Sequence, residues 1–182
     1  MISDKIILGL DPGTNLMGYG VIKSSSNKLS LIQYGVIKMD KEKKHYKKLK
    51  IIFQNINELI KEFNPNEISI ESPFFGKNVQ SMLKLGRAQG VAMVAGAINN
   101  INITEYAPKK IKQSITGNGN ASKEQLCEMV KKILDIKNFD GNKFDATDAL
   151  GAAICHYHQK SSNQTPKKSW KKFIDSNPDK II

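Results

Sequence analysis

Apolar residues recur along this chain with two different periods, and the change of period marks out the elements. Residues 5–10 (KIILGL) form a continuous apolar run that predicts a buried strand. Runs at 17–22 (MGYGVI) and 29–37 (LSLIQYGVI) predict two more strands. Pro12-Gly13-Thr14-Asn15 and Ser24-Ser25-Ser26-Asn27 separate the three, so they read as an antiparallel meander. From Tyr46 the spacing becomes three and four: Tyr46, Leu49, Ile52, Phe53, Ile56, Leu59, Ile60 and Phe63 fall on one helical face, and Asn64-Pro65-Asn66 stops the helix. A strand at 67–71 follows, then a helix over 78–99 whose second half is apolar nearly all round and so should make contacts on more than one face. Beyond it come a strand at 101–106, a short Lys-rich helix after Pro108 and a flexible Gly117–Asn120 loop. Ser122 and Gln125 form a capping box that opens a helix to about Asp135, and a last helix spans about 143–158.

Strands first and then alternating helices and strands, β-β-β-α-β-α-β-α, predict a mixed five-stranded α/β sheet flanked by helices. The periodicity fades near Lys160. Residues 1–159 therefore read as one domain and 160–182 as a disordered basic tail, in which six lysines and two aspartates give net +4. Cys127 and Cys155 have no metal-ligand spacing and no disulfide framework around them, which fits free thiols in a reducing compartment. No leader-like segment opens the chain, and no apolar stretch is long enough to span a membrane. A cytoplasmic protein without membrane contact is expected.

Charge narrows the class of partner. The chain has 28 Lys+Arg against 17 Asp+Glu, a formal net charge of +11, which points to a polyanion, nucleic acid above all. Against that excess the placement of four acids stands out. Asp11 ends the first apolar run and Glu71 the fourth strand, while Asp145 and Asp148 lie three apart on one face of the last helix. Taken singly each is weak, since Asp-Pro-Gly is often only a turn and an acid near a helix N-terminus can merely complement the dipole. Small neighbours such as Ala149 and Ala152 would let that helix lie close to the sheet and bring its acids to the strand ends. Together the four specify an oxygen-only pocket for hard divalent cations, Mg²⁺ or Mn²⁺. Two such ions about 3.5–4 Å apart can hold both oxygens of an in-line phosphodiester displacement.

Several motifs then carry a resemblance. They are Leu8-Gly-Leu-Asp-Pro-Gly-Thr14 with Gly18, Ile70-Glu71 with Phe74 and Lys77-Asn78, Leu83-Lys-Leu-Gly86, Glu105-Tyr106-Ala107, Ile111-Lys112-Gln113 and Asp145-Ala-Thr-Asp148-Ala-Leu150. In this order, from about Lys5 to His158, the chain resembles the RuvC family of Holliday-junction resolvases, the crossover junction endodeoxyribonucleases. The resemblance implies an RNase H-like fold, a homodimer, four-way junction DNA as substrate, and paired Mg²⁺-dependent nicks with two ions per site, Mn²⁺ being able to substitute. It also implies a functional link to the RuvA and RuvB branch-migration complex. Carried over by position, Asp11, Glu71, Asp145 and Asp148 are the catalytic metal-binding acids. Phe74 stacks on a base near the crossover, with Phe75 a second candidate for that ring, and Lys112 and Lys123 contact DNA near the scissile phosphate. Within Gly86-Arg87-Ala88-Gln89-Gly90 the Arg and Gln are exchanged relative to the usual family arrangement, so neither is assigned a DNA contact.

The alternatives are another RNase H-like nuclease acting on RNA or RNA/DNA, an actin-like ATPase, and a non-catalytic nucleic-acid-binding module. The ATPase group needs two subdomains to enclose its nucleotide, and the binding module gives no reason for four convergent acids. His156 and His158 read as surface or hydrogen-bond-satisfied residues, His45 as part of the solvated 41–50 lysine cluster, and Trp170 as part of the tail. For the dimer, the expected face is the apolar second half of the 78–99 helix: Val91, Ala92, Val94, Ala95 and Ile98.

Overall fold

The computed structural model describes residues 4–26, 28–73, 78–137 and 144–164, with side chains as far as Lys160. Strands β1 (Lys5–Asp11), β2 (Leu16–Ser25), β3 (Lys28–Lys38), β4 (Glu67–Glu71) and β5 (Asn102–Tyr106) form one sheet in the order β3-β2-β1-β4-β5. The first three pair antiparallel as a meander; β4 pairs parallel to β1, and β5 parallel to β4. This is the predicted mixed five-stranded sheet. Helices α1 (His45–Phe63), α2 (Val79–Ile98), α3 (Pro108–Thr116), α4 (Lys123–Leu134) and α5 (Phe144–Gln164) cover its two faces.

Strand alternation sorts the core into two layers. Leu8, Leu10, Ile68 and Ile70 pack with Ile52, Ile56 and Ala92 under α1 and α2. On the opposite face Ile7 and Ile22 pack with Ile111, Leu126, Val130 and Leu150 under α3, α4 and α5. Ile7, Gly9 and Asp11 therefore share the α5 face, as do Glu67, Ser69 and Glu71. The Ser122–Gln125 capping box is formed, and α4 begins where it places the start.

Two expectations change. The last helix does not stop at 158 but continues to Gln164, because Lys160 still has a partner on the sheet, its ammonium donating to Glu67 Oε1 at 2.6 Å. Residues 160–164 are thus helical, and the rest of the proposed tail lies outside the described residues. The proposed dimer face on α2 also divides. Ala92 and Ala95 are 0% exposed and turned to the sheet, whereas Val94 and Ile98 are 52% and 63% exposed. The α2 helix needs its small residues to approach the sheet: a Cβ on Gly96 would come within 2.8 Å of Ile68 and 2.9 Å of Ile103. Cys127 and Cys155 are buried free thiols, as expected.

Candidate active site

Parallel pairing sets the first two acids side by side. Leu10 is registered with Ile70, so Asp11 and Glu71 are the next residues on neighbouring strands, where both strands end. The chain after Glu71 is tied down by the Ser72 amide, which donates to the Tyr106 carbonyl at 2.9 Å. The third and fourth acids arrive on α5, and a strip of glycines decides how close that helix comes. Gly9 and Gly20 are cross-strand partners, and Gly18 is the partner of Asp11. A Cβ on Gly18 would stand 1.9 Å from the Asp145 carbonyl oxygen, and one on Gly9 2.0 Å from that of Ala149. Backbone cannot yield at such distances, so glycine is required, and α5 lies directly on the strands. Sequence reasoning had credited the close approach to alanines on the helix. The glycines on the sheet match them, and their alternation (9, then 18 and 20) is a signal readable in the chain.

The result is a cavity of about 370 Å³ lined by Asp11, Glu71 and Asp148, by Lys112 and Lys123, and by apolar walls that include Leu85, Ile111 and Leu126. Asp145 is not in its lining; it sits on the first turn of α5, from where its charge acts on Asp11 and Asp148. Burial and then the charges of Glu71, Asp148 and Asp145 raise the Asp11 carboxyl to about 8, against an opposing pull from Lys123. Glu71 is raised to about 7, first by burial and then by Asp148. Burial likewise raises Asp148, although Lys123 donates to its Oδ2 at 3.0 Å. For Lys123 burial acts to lower the ammonium's pKa, but Asp148, with Asp11 and Asp145 behind it, outweighs that and raises it.

Carboxylates pressed together away from water favour their protonated forms unless cations join them. Among the described residues no three His, Cys, Asp or Glu side chains converge closely enough to enclose a metal ion. Asp148 is turned to Lys123, which donates to its Oδ2. The donor chemistry still fits a hard cation, being oxygen-only, anionic and partly buried.

Of the residues read from the sequence, the structure brings Asp11, Glu71, Asp148, Lys112 and Lys123 to one cavity and Asp145 to its edge. Phe74 and Phe75 lie outside the described residues. Gln89 is buried, donating to Glu105 Oε2 at 2.5 Å, and so serves the fold. His156 is satisfied, set between Glu67 Oε2 at 2.5 Å and the Tyr106 hydroxyl at 2.9 Å. Among the described residues no helix is long and apolar enough to cross a membrane.

Comparison with known proteins agrees with this geometry. The family model described as crossover junction endodeoxyribonuclease RuvC matches residues 7–156. A relative of that name from Cytophaga hutchinsonii is 57% identical, the alignment covering 98% of this chain and 88% of the relative. Another, from Christiangramia forsetii, is 54% identical over 98% of this chain and 94% of its own length. The solved structure of Thermus thermophilus RuvC in complex with a Holliday junction substrate superposes with a TM-score of 0.81 at 27% identity, covering 87% of this chain and 96% of that one. The chain belongs to the RuvC family of crossover junction endodeoxyribonucleases, metal-dependent nucleases of RNase H-like fold.

Proposed function

We propose that the acid-lined cavity is where this crossover junction endodeoxyribonuclease nicks the strands of a Holliday junction in recombination and repair, with Asp11, Glu71, Asp145 and Asp148 holding the divalent cations. The observation that carries the reading is the raised pair Asp11 and Glu71, at about 8 and 7, at the ends of adjacent strands in a lysine-flanked cavity. Groups so crowded are poor structural elements and good cation ligands. Two Mg²⁺ ions per site, with Mn²⁺ able to replace them, would supply Lewis-acid activation of the attacking water and the leaving oxygen.

The protein's own groups do the rest. Lys112 and Lys123 neutralise phosphate charge at the cavity mouth; Lys123 exchanges Asp148 for a phosphate oxygen when DNA enters. The apolar wall of Leu85, Ile111 and Leu126 restricts water to the reacting position. Phe74 stacks on a base exposed at the crossover.

A junction with two equivalent strands has two-fold symmetry, which a C₂ homodimer matches. Val79, Leu83, Val94 and Ile98, all half or more exposed, run along α2 with Gly86 and Gly90, over which a Cβ would meet nothing within 4 Å among the described residues. Small residues four apart between apolar ones let two such helices pack closely, so this stripe is the dimer face. The setting is the cytoplasm, with RuvA and RuvB delivering the branched substrate. The test is product mapping on a synthetic four-way junction. Symmetric paired nicks with Mg²⁺, none with EDTA and none on plain duplex support the reading, and cleavage of RNA/DNA hybrid in preference to junctions overturns it. Val94→Glu should give a folded monomer that nicks one strand without the other; a dimeric variant with paired nicks would remove the α2 stripe from the interface.

A further inference from the structure

A second concavity lies on the other side of the turn that follows Asp11. It encloses about 210 Å³ between Thr14 and Asn15 of that turn, Lys43, His45 and Lys48 at the start of α1, and Ser81 and Lys84 near the start of α2. Among the described residues three ammonium groups line it and no carboxylate does. Lys48 is engaged, donating to Asn15 Oδ1 at 2.6 Å and to the Thr14 carbonyl at 3.3 Å, which ties the turn to α1. Lys43 and Lys84 are exposed. The His45 ring is part of the wall, and its Nε2 is shut off from solvent without a hydrogen-bond partner among the described residues. Burial, and after it the charges of Arg87, Lys84 and Lys48, hold this imidazole below its ordinary pKa, so the positive field of α2 is felt at the ring. A neutral, partnerless imidazole nitrogen beside uncompensated ammonium groups is what an oxygen anion would satisfy.

We propose that this pocket is a phosphate-binding site that grips one phosphodiester of the DNA strand whose cleavage takes place at Asp11. The inference rests on the reading of the acid-lined cavity as the nicking centre. Residues 11 to 15 span at most about 14 Å. At about 3.4 Å per nucleotide along a strand, the gripped phosphate is therefore no more than a few nucleotides from the scissile one. Held there, it fixes the register of the strand, and through Lys48 and Asn15 it is joined to the turn that carries Asp11. Lys43 and Lys84 supply charge, while the His45 ring, whose Nε2 is closed to solvent as the pocket stands, turns about χ2 as the phosphate enters and donates from Nε2–H to a phosphate oxygen.

The experiment measures junction affinity against salt in EDTA, where no cleavage occurs. It compares the wild-type chain, the double variant Lys43→Gln/Lys84→Gln, His45→Gln, and Lys61→Gln as a control for the loss of one exposed lysine at the far end of α1. The double variant should bind several-fold more weakly and lose about 1 from the slope of log K against log [salt], the signature of one phosphate contact. With Mg²⁺ restored, its nicks should spread to neighbouring positions. With three histidines in the chain, the His45 ring resonances can be assigned from the His45→Gln variant; they should move on titration with junction DNA and stay still with inorganic phosphate at the same concentration. Wild-type slope, affinity and nick position in the double variant would overturn the proposal while leaving the nicking centre intact. An equal shift with free phosphate would make the pocket a small-anion site and also overturn it. A wild-type chain that bound no junction would instead bring down the reading of the acid-lined cavity.

Discussion

Glu67 and Glu71 stand at the two ends of β4, on the same face of the sheet and under the same helix. Burial acts to raise both, yet Glu67 ends at about 2 and Glu71 at about 7. The difference is what α5 brings to each end. Four strand residues cover about 13 Å at ~3.3 Å each, and the eight helix residues from Asp148 to His156 cover about 12 Å at ~1.5 Å each. One end of α5 thus sets Asp148 beside Glu71, and the other sets His156 and Lys160 on Glu67. Lys160 and His156 donate to Glu67 at 2.6 and 2.5 Å, and Lys5 adds a second ammonium at 3.3 Å. At one end every charge is compensated within the chain. At the other the protein has assembled negative charge that it does not itself neutralise, and a group so placed signals work to be done on something else.

The sharpest way to test that contrast is to remove acids from each end. Asp11→Asn, Glu71→Gln, Asp145→Asn and Asp148→Asn should each lower the Mg²⁺-dependent nicking rate by roughly 10³-fold or more, because a misplaced cation withdraws transition-state stabilisation. Junction binding, spread over many phosphates, should change little. Glu67→Gln should keep the nicking rate per folded molecule. Single-turnover cleavage beside gel-shift titration separates the two, and any of the four that cut at near wild-type rate would not be a ligand.

Next in size is the seat of α5. Gly18→Ala puts a methyl where the Asp145 carbonyl lies 1.9 Å away, so the helix must lift from the strands. A loss of several kcal/mol in urea unfolding is expected, together with loss of cleavage in the fraction that stays folded. Gly86→Ala meets nothing within 4 Å among the described residues and should leave monomer stability intact or slightly raised, by about 0.5–1 kcal/mol.

Most of the fold was legible because its periods are clean. The α1 stripe, the Ser122–Gln125 cap and the first and third strands appear within a residue or two of where the pattern puts them, while β2 runs three residues past Ile22, taking Ser24 and Ser25 from the expected turn. The four acids were legible because strand ends and an i, i+3 pair are local features. What escaped depends on which neighbour a residue meets across the fold. Ala95 reads as part of an outward face, but an alanine in the apolar second half of α2 does not say which side the sheet is on, and it is buried. His45 reads in sequence as one of a solvated lysine cluster, although its Nε2 is shut off from solvent in the fold. Lys160 reads as tail in the sequence because its partner, Glu67, is 93 residues away.

The two ends of β4 should also respond oppositely to pH. Glu67 ionises below its unfolded range, so its contribution is fully present above about 4.5 and is lost as the pH falls toward 2. Asp11 and Glu71 have raised values, so in the metal-free chain they cost stability progressively as the pH rises from about 4 to about 8. In EDTA at pH 8, Asp11→Asn should therefore be more stable than wild type by on the order of 2–4 kcal/mol. Glu67→Gln should be less stable by roughly 1–3 kcal/mol, since His156 and Lys160 lose an ionised partner. Thermal melts at pH 4, 6 and 8 measure both, and adding Mg²⁺ should narrow the Asp11→Asn gap by stabilising the wild type. Parallel pH curves for the two variants would mean that the ends of β4 do not differ in charge compensation.

The smallest effects belong to the lysines that border the uncompensated end. Lys123 is held by Asp148 and also feels Asp11 and Asp145, whereas Lys112 lines the same cavity with no hydrogen bond to an acid among those described. Lys123→Ala removes a cation from a crowd of carboxylates, so it should raise the pH at which cleavage reaches half its maximum as well as lower the rate, by roughly 10- to 100-fold. Lys112→Ala should lower the rate by a similar or smaller factor with a smaller change in that midpoint. It acts on Glu71 and Asp148 through charge alone, and Lys123 remains to offset them. Both variants should bind junction DNA within about tenfold of wild type, each having lost at most one phosphate contact. The rates are to be measured single-turnover from pH 6 to 9 at saturating Mg²⁺. If affinity fell as far as rate in both, with the midpoint unmoved, the two lysines would be ordinary phosphate anchors, and the carboxylate cluster would be tuned by burial and its own repulsion alone.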